Sequence, residues 1–255
     1  MLMDTPDSAA MEPLSGPPTL TLDEALQLLT DGALSVEGRL VDASNATLYC
    51  AVSFEGVTAN CVYKPMRGER PLWDFPNGTL AGRELAAYLV SAATGWALVP
   101  PTVMRDGPFG SGMCQLWMEP APDVDLVTLA RSDHPDLRRM AVLDAVINNA
   151  DRKGGHLLPQ EDGHVYGCDH GVCFHVEDKL RTLLWGWAGD RLTDETCTVL
   201  TELSEQLDGP LGAELAELLS PREVSATRRR TRKLLKSGRH PEPSGDWPAV
   251  PWPPF

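Results

Sequence analysis

Between Ser35 and Pro65 three short β-rich runs, SVEGRLVDA, ATLYCAVSF and TANCVYKP, follow one another with only turn residues such as SN and EG between them. Runs of that length, rich in β-branched residues and broken by turn chemistry, predict consecutive antiparallel strands, a meander. A sheet made this way has an apolar face to cover, so the rest of the chain must supply the cover. The next segment, GRELAAYLVSAATG, repeats apolar residues at helical spacing through Leu85, Tyr88, Leu89 and Ala92 and predicts a helix closing on Gly95. LVPPTVMRDG and GSGMCQLWME then read as a second pair of strands. Ahead of the sheet, Thr21 with Glu24 three residues on has the pattern of a capping box that opens the helix LDEALQLL.

From about Pro120 onward helical patterns dominate, interrupted by HVYGCDHGVCFH, which reads as a hairpin. A sheet-rich lobe with one helix, a strand leading into a connector, and then a helical lobe is the element order of a bilobal, kinase-like α+β fold. The expected divisions are a disordered lead over 1–19, an N-terminal lobe over 20–118, a C-terminal lobe over 119–240 and a Pro/Trp-rich tail over 241–255. Such a tail is either disordered or an extended strap laid over an apolar groove. Topology alone does not establish chemistry.

Charge and composition narrow the setting. Of the 22 Lys/Arg, eight lie between Arg222 and Arg239 beside a single acid, so residues 1 to 221 carry a net charge of -19. A body so acidic repels nucleic acid. The basic segment RRRTRKLLK, residues 228 to 236, is open to two readings: a solvated helix that neutralises the acidic body, or a surface for an anionic partner. No run approaches the ~18 apolar residues of a membrane span, and the opening has no basic stretch ahead of an apolar one, so a cytoplasmic protein is expected. The six cysteines sit mostly inside apolar stretches and read as small core residues.

Phosphoryl transfer requires little covalent chemistry of a protein: it must grip ATP, neutralise its phosphates and position a hydroxyl. Residues suited to each task occur in order. Lys64 ends the third predicted strand, where its ammonium can reach phosphates, and Glu84, 20 residues on, can hold that lysine by an ion pair. Asp151 follows the apolar run MAVLDAVI, and in DRKGGH the two glycines are expected to turn the chain tightly and bring His156 back toward it. Asp169 comes 18 residues later, in YGCDHG, on an expected short strand. Two carboxylates so placed, with a nearby ligand, suit Mg²⁺ and a hydroxyl. The plain alternative for Asp151 is a helix-end acid paired with Arg152. Cys168, His170, Cys173 and His175 lie too close together for ordinary zinc-site spacing.

The pattern ADRKGGH...GCDHG resembles the catalytic and metal-binding loops of the phosphatidylinositol 3- and 4-kinase superfamily, where the catalytic loop is Asp-Arg-His-x-x-Asn and a short strand later carries Asp-Phe-Gly. More narrowly the chain resembles a small actinobacterial family related to those kinases. The likeness spans roughly residues 36 to 190 and is specific at 148 to 171. It implies an ATP-dependent kinase with Asp151 as catalytic aspartate and Asp169 as metal ligand. Lys153 stands where the superfamily has histidine, and His156 where it has the metal-binding asparagine, which points to Mn²⁺ as an alternative to Mg²⁺. There is no G-x-G-x-x-G loop; Ser44 and Asn45 in DASNAT are the candidates to meet the phosphates, and Met118 and Glu119 of the connector are the candidates to read adenine. The expected acceptor is a hydroxyl of a protein or small molecule, in preference to a lipid. A nucleotide-binding pseudokinase acting as a scaffold or regulator is the alternative.

Overall fold

The computed structural model describes residues 20–40 and 45–255. The expected lead over 1–19 and the candidate Ser44 lie outside the described residues. Helix α1 (Leu22–Asp31) opens on the Thr21 and Glu24 capping box, in which each side chain meets the other's backbone N–H. Strands β1 (Ala33–Arg39), β2 (Leu48–Phe54) and β3 (Val57–Pro65) form the expected meander. Helix α2 (Leu80–Thr94) follows and closes on Gly95, whose φ of 69° is the left-handed conformation that glycine takes without strain. β4 (Thr102–Gly107) and β5 (Gly110–Leu116) complete a five-stranded antiparallel sheet in the order β1-β2-β3-β5-β4.

Beyond the sheet lie α3 (Leu126–Ala130), α4 (Pro135–Ile147), β6 (Leu157–Pro159), β7 (Val165–Gly167), α5 (Asp194–Asp208), α6 (Pro210–Leu218) and α7 (Pro221–Ser237). The class is the expected one, mixed α+β with an antiparallel sheet and a helical portion. Two hydrophobic clusters divide it. The smaller packs Leu28 and Leu29 of α1 on Cys50, Val52, Cys61 and Cys114 of the sheet, all buried. These thiols are core residues, and burial pushes that of Cys50 up to about 11. The larger cluster gathers α4 to α7 and also the buried face of α2, including Ala86, Ala87 and Val90. Helix α2 therefore bridges sheet and helices, which ties its N-terminal turns to both.

Two sequence expectations change. HVYGCDHGVCFH does not fold back on itself; β7 pairs with β6 instead, with Leu157 opposite Gly167. After Gly167 the backbone groups are claimed elsewhere, Cys168 N–H by His156 O and Phe174 N–H by Ile147 O, and positive φ at Asp169 (61°) and Phe174 (69°) stops a strand. Asp169 thus sits on a sharp bend beyond the strand and not on it. The basic stretch of α7 is partly spent within the fold: Arg228 and Arg232 pair with Asp208, and Arg230 donates to the carbonyls of Val146 and His175. Arg229, Lys233 and Lys236 remain exposed.

The tail is a strap. His240 N–H donates to Asp190 O, Ala249 O accepts from Thr182 N–H and from the Trp185 indole, and Pro254 O accepts from Gly154 N–H. Among the described residues, no helix is long and apolar enough to cross a membrane.

Candidate active site

Lys64 lies near the end of β3 with its ammonium 2.6 Å from Glu84 Oε1 and 2.9 Å from Asp169 Oδ1. Glu84 is buried in the first turns of α2, so both of its oxygens need partners; Oε1 takes Lys64 and Oε2 takes the His170 backbone N–H at 2.8 Å. Asp169 is brought to this pair by its left-handed backbone. The electrostatics are mutual. Lys64 holds the Asp169 carboxyl well below the usual carboxylate range, against the opposing effect of burial. Burial alone would lower the Lys64 ammonium, but the two carboxylates overcome it and hold it above its ordinary value. Burial raises Glu84, with Lys64 working in the other direction.

The loop after α4 is built around Arg152, whose side chain is fully buried. Its guanidinium pairs with Asp144 at 2.9 Å, donates to Cys168 O at 3.1 Å and approaches His170 Nε2 at 2.6 Å. Asp144 also accepts from Asn149 Nδ2 and Thr182 Oγ1. A buried cation of this kind staples the loop bearing Asp151 to the loop bearing Asp169. Burial, with the Arg152 charge second, keeps His170 neutral. Arg152 is therefore not the partner of Asp151. Asp151 meets Lys153 at 3.1 Å and Arg181 at 3.6 Å, and its backbone N–H is fixed by Asn149 Oδ1.

The two glycines lie in the expected tight turn, though without left-handed backbone. Gly154 begins a single helical turn that ends at His156, and neither glycine has positive φ. The ring of Phe255 lies over Gly154, and a Cβ added there would come within 2.0 Å of Phe255 Cδ1, so that ring would have to shift. His156 does arrive beside Asp169, Nε2 standing 3.5 Å from Oδ2. Burial lowers its pKa, with Asp169 pulling the other way, so the ring is biased to the neutral form. Oδ2 of Asp169, free of Lys64, and a neutral imidazole are a chemically suitable pair of donors for a divalent cation. Ligation through Nε2 requires the long 3.4 Å contact from Lys153 N–H to Nδ1 to open, since that contact leaves the ring proton on Nε2.

Lys64, Glu84, Asp151 and Asp169 line one cavity of about 640 Å³. Asn45 lines it too, its Oδ1 held by Arg70 N–H at 2.8 Å. Met118 and Glu119 do not line it; Glu119 Oε2 accepts from the Trp117 indole at 2.7 Å on the connector. The cavity also contains Lys153, already marked by its place two residues after Asp151, the tryptophans Trp247 and Trp252 of the Pro/Trp-rich tail, and two residues without a signal, Arg181 and Trp73. Asp144, outside the cavity, had a signal in its being the acid inside MAVLDAVI. Arg181 and Trp73 had none, because only the folded chain brings them to the cavity that holds Asp151.

Comparison with known proteins finds a relative of nearly the same length. Protein Rv2133c of Mycobacterium tuberculosis (strain ATCC 25618 / H37Rv) is 47% identical over 268 residues, which covers 91% of this chain and 96% of that one. This chain belongs to the same family. No family model matches it. Among solved structures, the Helicobacter pylori proinflammatory kinase CtkA is similar with a TM-score of 0.49 at 11% identity, over 83% of this chain and 94% of that chain.

Proposed function

We propose that this protein is an ATP-dependent phosphotransferase of kinase-like layout that moves a phosphoryl group to a hydroxyl of a small molecule or protein. The observation that carries the reading is the double grip on Lys64, from Glu84 at 2.6 Å and Asp169 at 2.9 Å, in the same cavity as Asp151. Three segments far apart in the chain converge there on charges that surface chemistry alone does not bring together. In this reading the Lys64 ammonium meets the nucleotide phosphates while Glu84 keeps it extended. Asp169 and His156 would hold Mg²⁺ or Mn²⁺, which supplies neutralisation of phosphate charge. Asp151 orients the acceptor hydroxyl and takes its proton, and Lys153 beside it balances charge on the group in transit. Kinship with the phosphatidylinositol 3- and 4-kinases is part of the same proposal and rests on the ADRKGGH and GCDHG stretches.

The second reading, a nucleotide-binding scaffold without transfer, is favoured by one observation: the His156 ring is engaged through Nδ1, which opposes ligation by Nε2. Incubation with γ-labelled ATP, Mg²⁺ or Mn²⁺ and cell extract separates the two. Asp151→Asn should lower transfer by ~10²- to 10⁴-fold while leaving the nucleotide-dependent thermal shift in place. Equal residual transfer in the two proteins would make the scaffold the correct reading, and no thermal shift with any nucleotide and metal pair would remove both.

A further inference from the structure

The cavity that holds Asp151 has walls that phosphate chemistry does not call for. Three indoles line it: Trp73 from the segment between β3 and α2, and Trp247 and Trp252 from the C-terminal strap. Trp73 is 85% exposed and Trp252 is 87% exposed. Large apolar rings left in water at a cavity mouth serve binding better than they serve a core. The Trp247 indole N–H also has no acceptor among the described residues.

These walls are held in place. Lys179, itself buried, pairs with Asp74 and lies 4.5 Å from the ring centre of Trp73 and 4.9 Å from that of Trp247. One ammonium thereby clasps the segment before α2, the chain after Asp169 and the strap. Trp252 hangs between two fixed points, Ala249 O bound by Thr182 and Trp185, and Pro254 O bound by Gly154 N–H at 2.7 Å. Four cations, Lys64, Arg70, Lys153 and Arg181, line the cavity among its carboxylates. Lys153 and Arg181 flank Asp151, and the exposed Arg70 has no acidic partner among the described residues.

We infer that the strap and the segment between β3 and α2 form the acceptor subsite, and that the acceptor is a small hydroxyl compound with a ring face that stacks on Trp252 and an anionic group that meets Arg181 and Arg70. The inference rests on the phosphotransferase reading. A cavity of about 640 Å³ has the size of a small-molecule site. In the step itself the acceptor oxygen forms a bond to the γ-phosphorus as the bond from that phosphorus to the β–γ bridging oxygen breaks. ADP leaves, and the hydroxyl proton passes to Asp151 and then to water.

The test uses the full chain, Trp252→Ala and Trp252→Phe, with indole fluorescence as the readout. The probes are glucose 6-phosphate and myo-inositol 1-phosphate, their neutral parents, and the ringless glycerol 3-phosphate. A ring phosphate should bind saturably, at least tenfold more tightly than its neutral parent or glycerol 3-phosphate. Trp252→Ala should lose at least tenfold of that affinity and Trp252→Phe should regain most of it, because the ring and not the indole N–H carries the contact. No saturable binding of either ring phosphate, or equal affinity in wild type and Trp252→Ala, overturns the subsite. Label transfer from ATP to phosphatidylinositol vesicles or to extract protein that Trp252→Ala leaves unchanged overturns it as well. If ring phosphates bind as expected but no nucleotide shifts the melting temperature, the kinase reading fails and the subsite stands, so the two failures are distinct.

Discussion

Two of the carboxylates that line the cavity, Asp169 and Asp151, are held in different ways. Asp169 is held by Lys64, which Glu84 grips from behind, and its loop is stapled by a fully buried Arg152. Asp151 meets its cations at 3.1 and 3.6 Å and shares the cavity with the exposed indoles of Trp73 and Trp252. A site that handles an invariant group such as a triphosphate gains from charges fixed before binding. A site that selects an acceptor needs open surface, and on the proposed reading the end of the chain and the segment before α2 would supply it.

The comparison breaks most sharply at Asp144. Asp144→Ala leaves the Arg152 guanidinium buried without its counter-ion, which should cost about 3–5 kcal/mol of stability, read by urea unfolding. A change below about 1 kcal/mol would mean that the rigid half does not depend on this staple.

A smaller effect is expected at the root of the strap. Burial, with Arg138 adding to it and Asp190 opposing, lowers the His240 pKa from 6.5 to about 4. The folded chain keeps His240 neutral while the unfolded chain protonates it near 6.5, so this stability is fully present above that pH and is lost as pH falls toward 4. His240→Phe keeps a ring and removes the titration. Between pH 7 and pH 5 the wild type should lose about 1 kcal/mol more than the variant in urea unfolding, after allowance for solvent screening. Parallel losses would show that His240 does not titrate in this range.

The smallest effect on stability, and the most selective on the strap, is expected from Gly154→Ala. The added methyl meets the ring of Phe255, a chain-terminal side chain that is 51% exposed and can move. Global stability should fall by less than about 1 kcal/mol. Carboxypeptidase should nevertheless remove Phe255 and the residues before it faster than from wild type, and equal rates would show that the strap is not anchored at Gly154.

Local features were legible in the residues because their physics is local. The Thr21 and Glu24 capping box closes within one helical turn, Gly95 follows a helix whose period can be counted, and the strands of the meander alternate with turn residues. The sequence order Lys64, Glu84, Asp151, Asp169 was readable as well, since residue type and position along an element suffice to nominate a charged group. Which charges become partners was not readable. The bond from Lys64 to Asp169 spans 105 residues, and Arg152, adjacent to Asp151, turned inward to Asp144. HVYGCDHGVCFH misled because alternation suggests a strand, whereas the backbone donors and acceptors of its second half found partners in other loops.

By itself, then, the sequence determined most of the elements, their order and a set of candidate charged residues, since capping, periodicity and turn preference act over a few residues. Only the tertiary structure decided that Gly154 meets Phe255 at the far end of the chain, that Arg152 is a buried staple, and that tryptophans from two distant segments line the same cavity as Asp151. The reason is desolvation: the energy of a charge or a ring depends on what replaces its water, and those neighbours are chosen by packing across the whole chain.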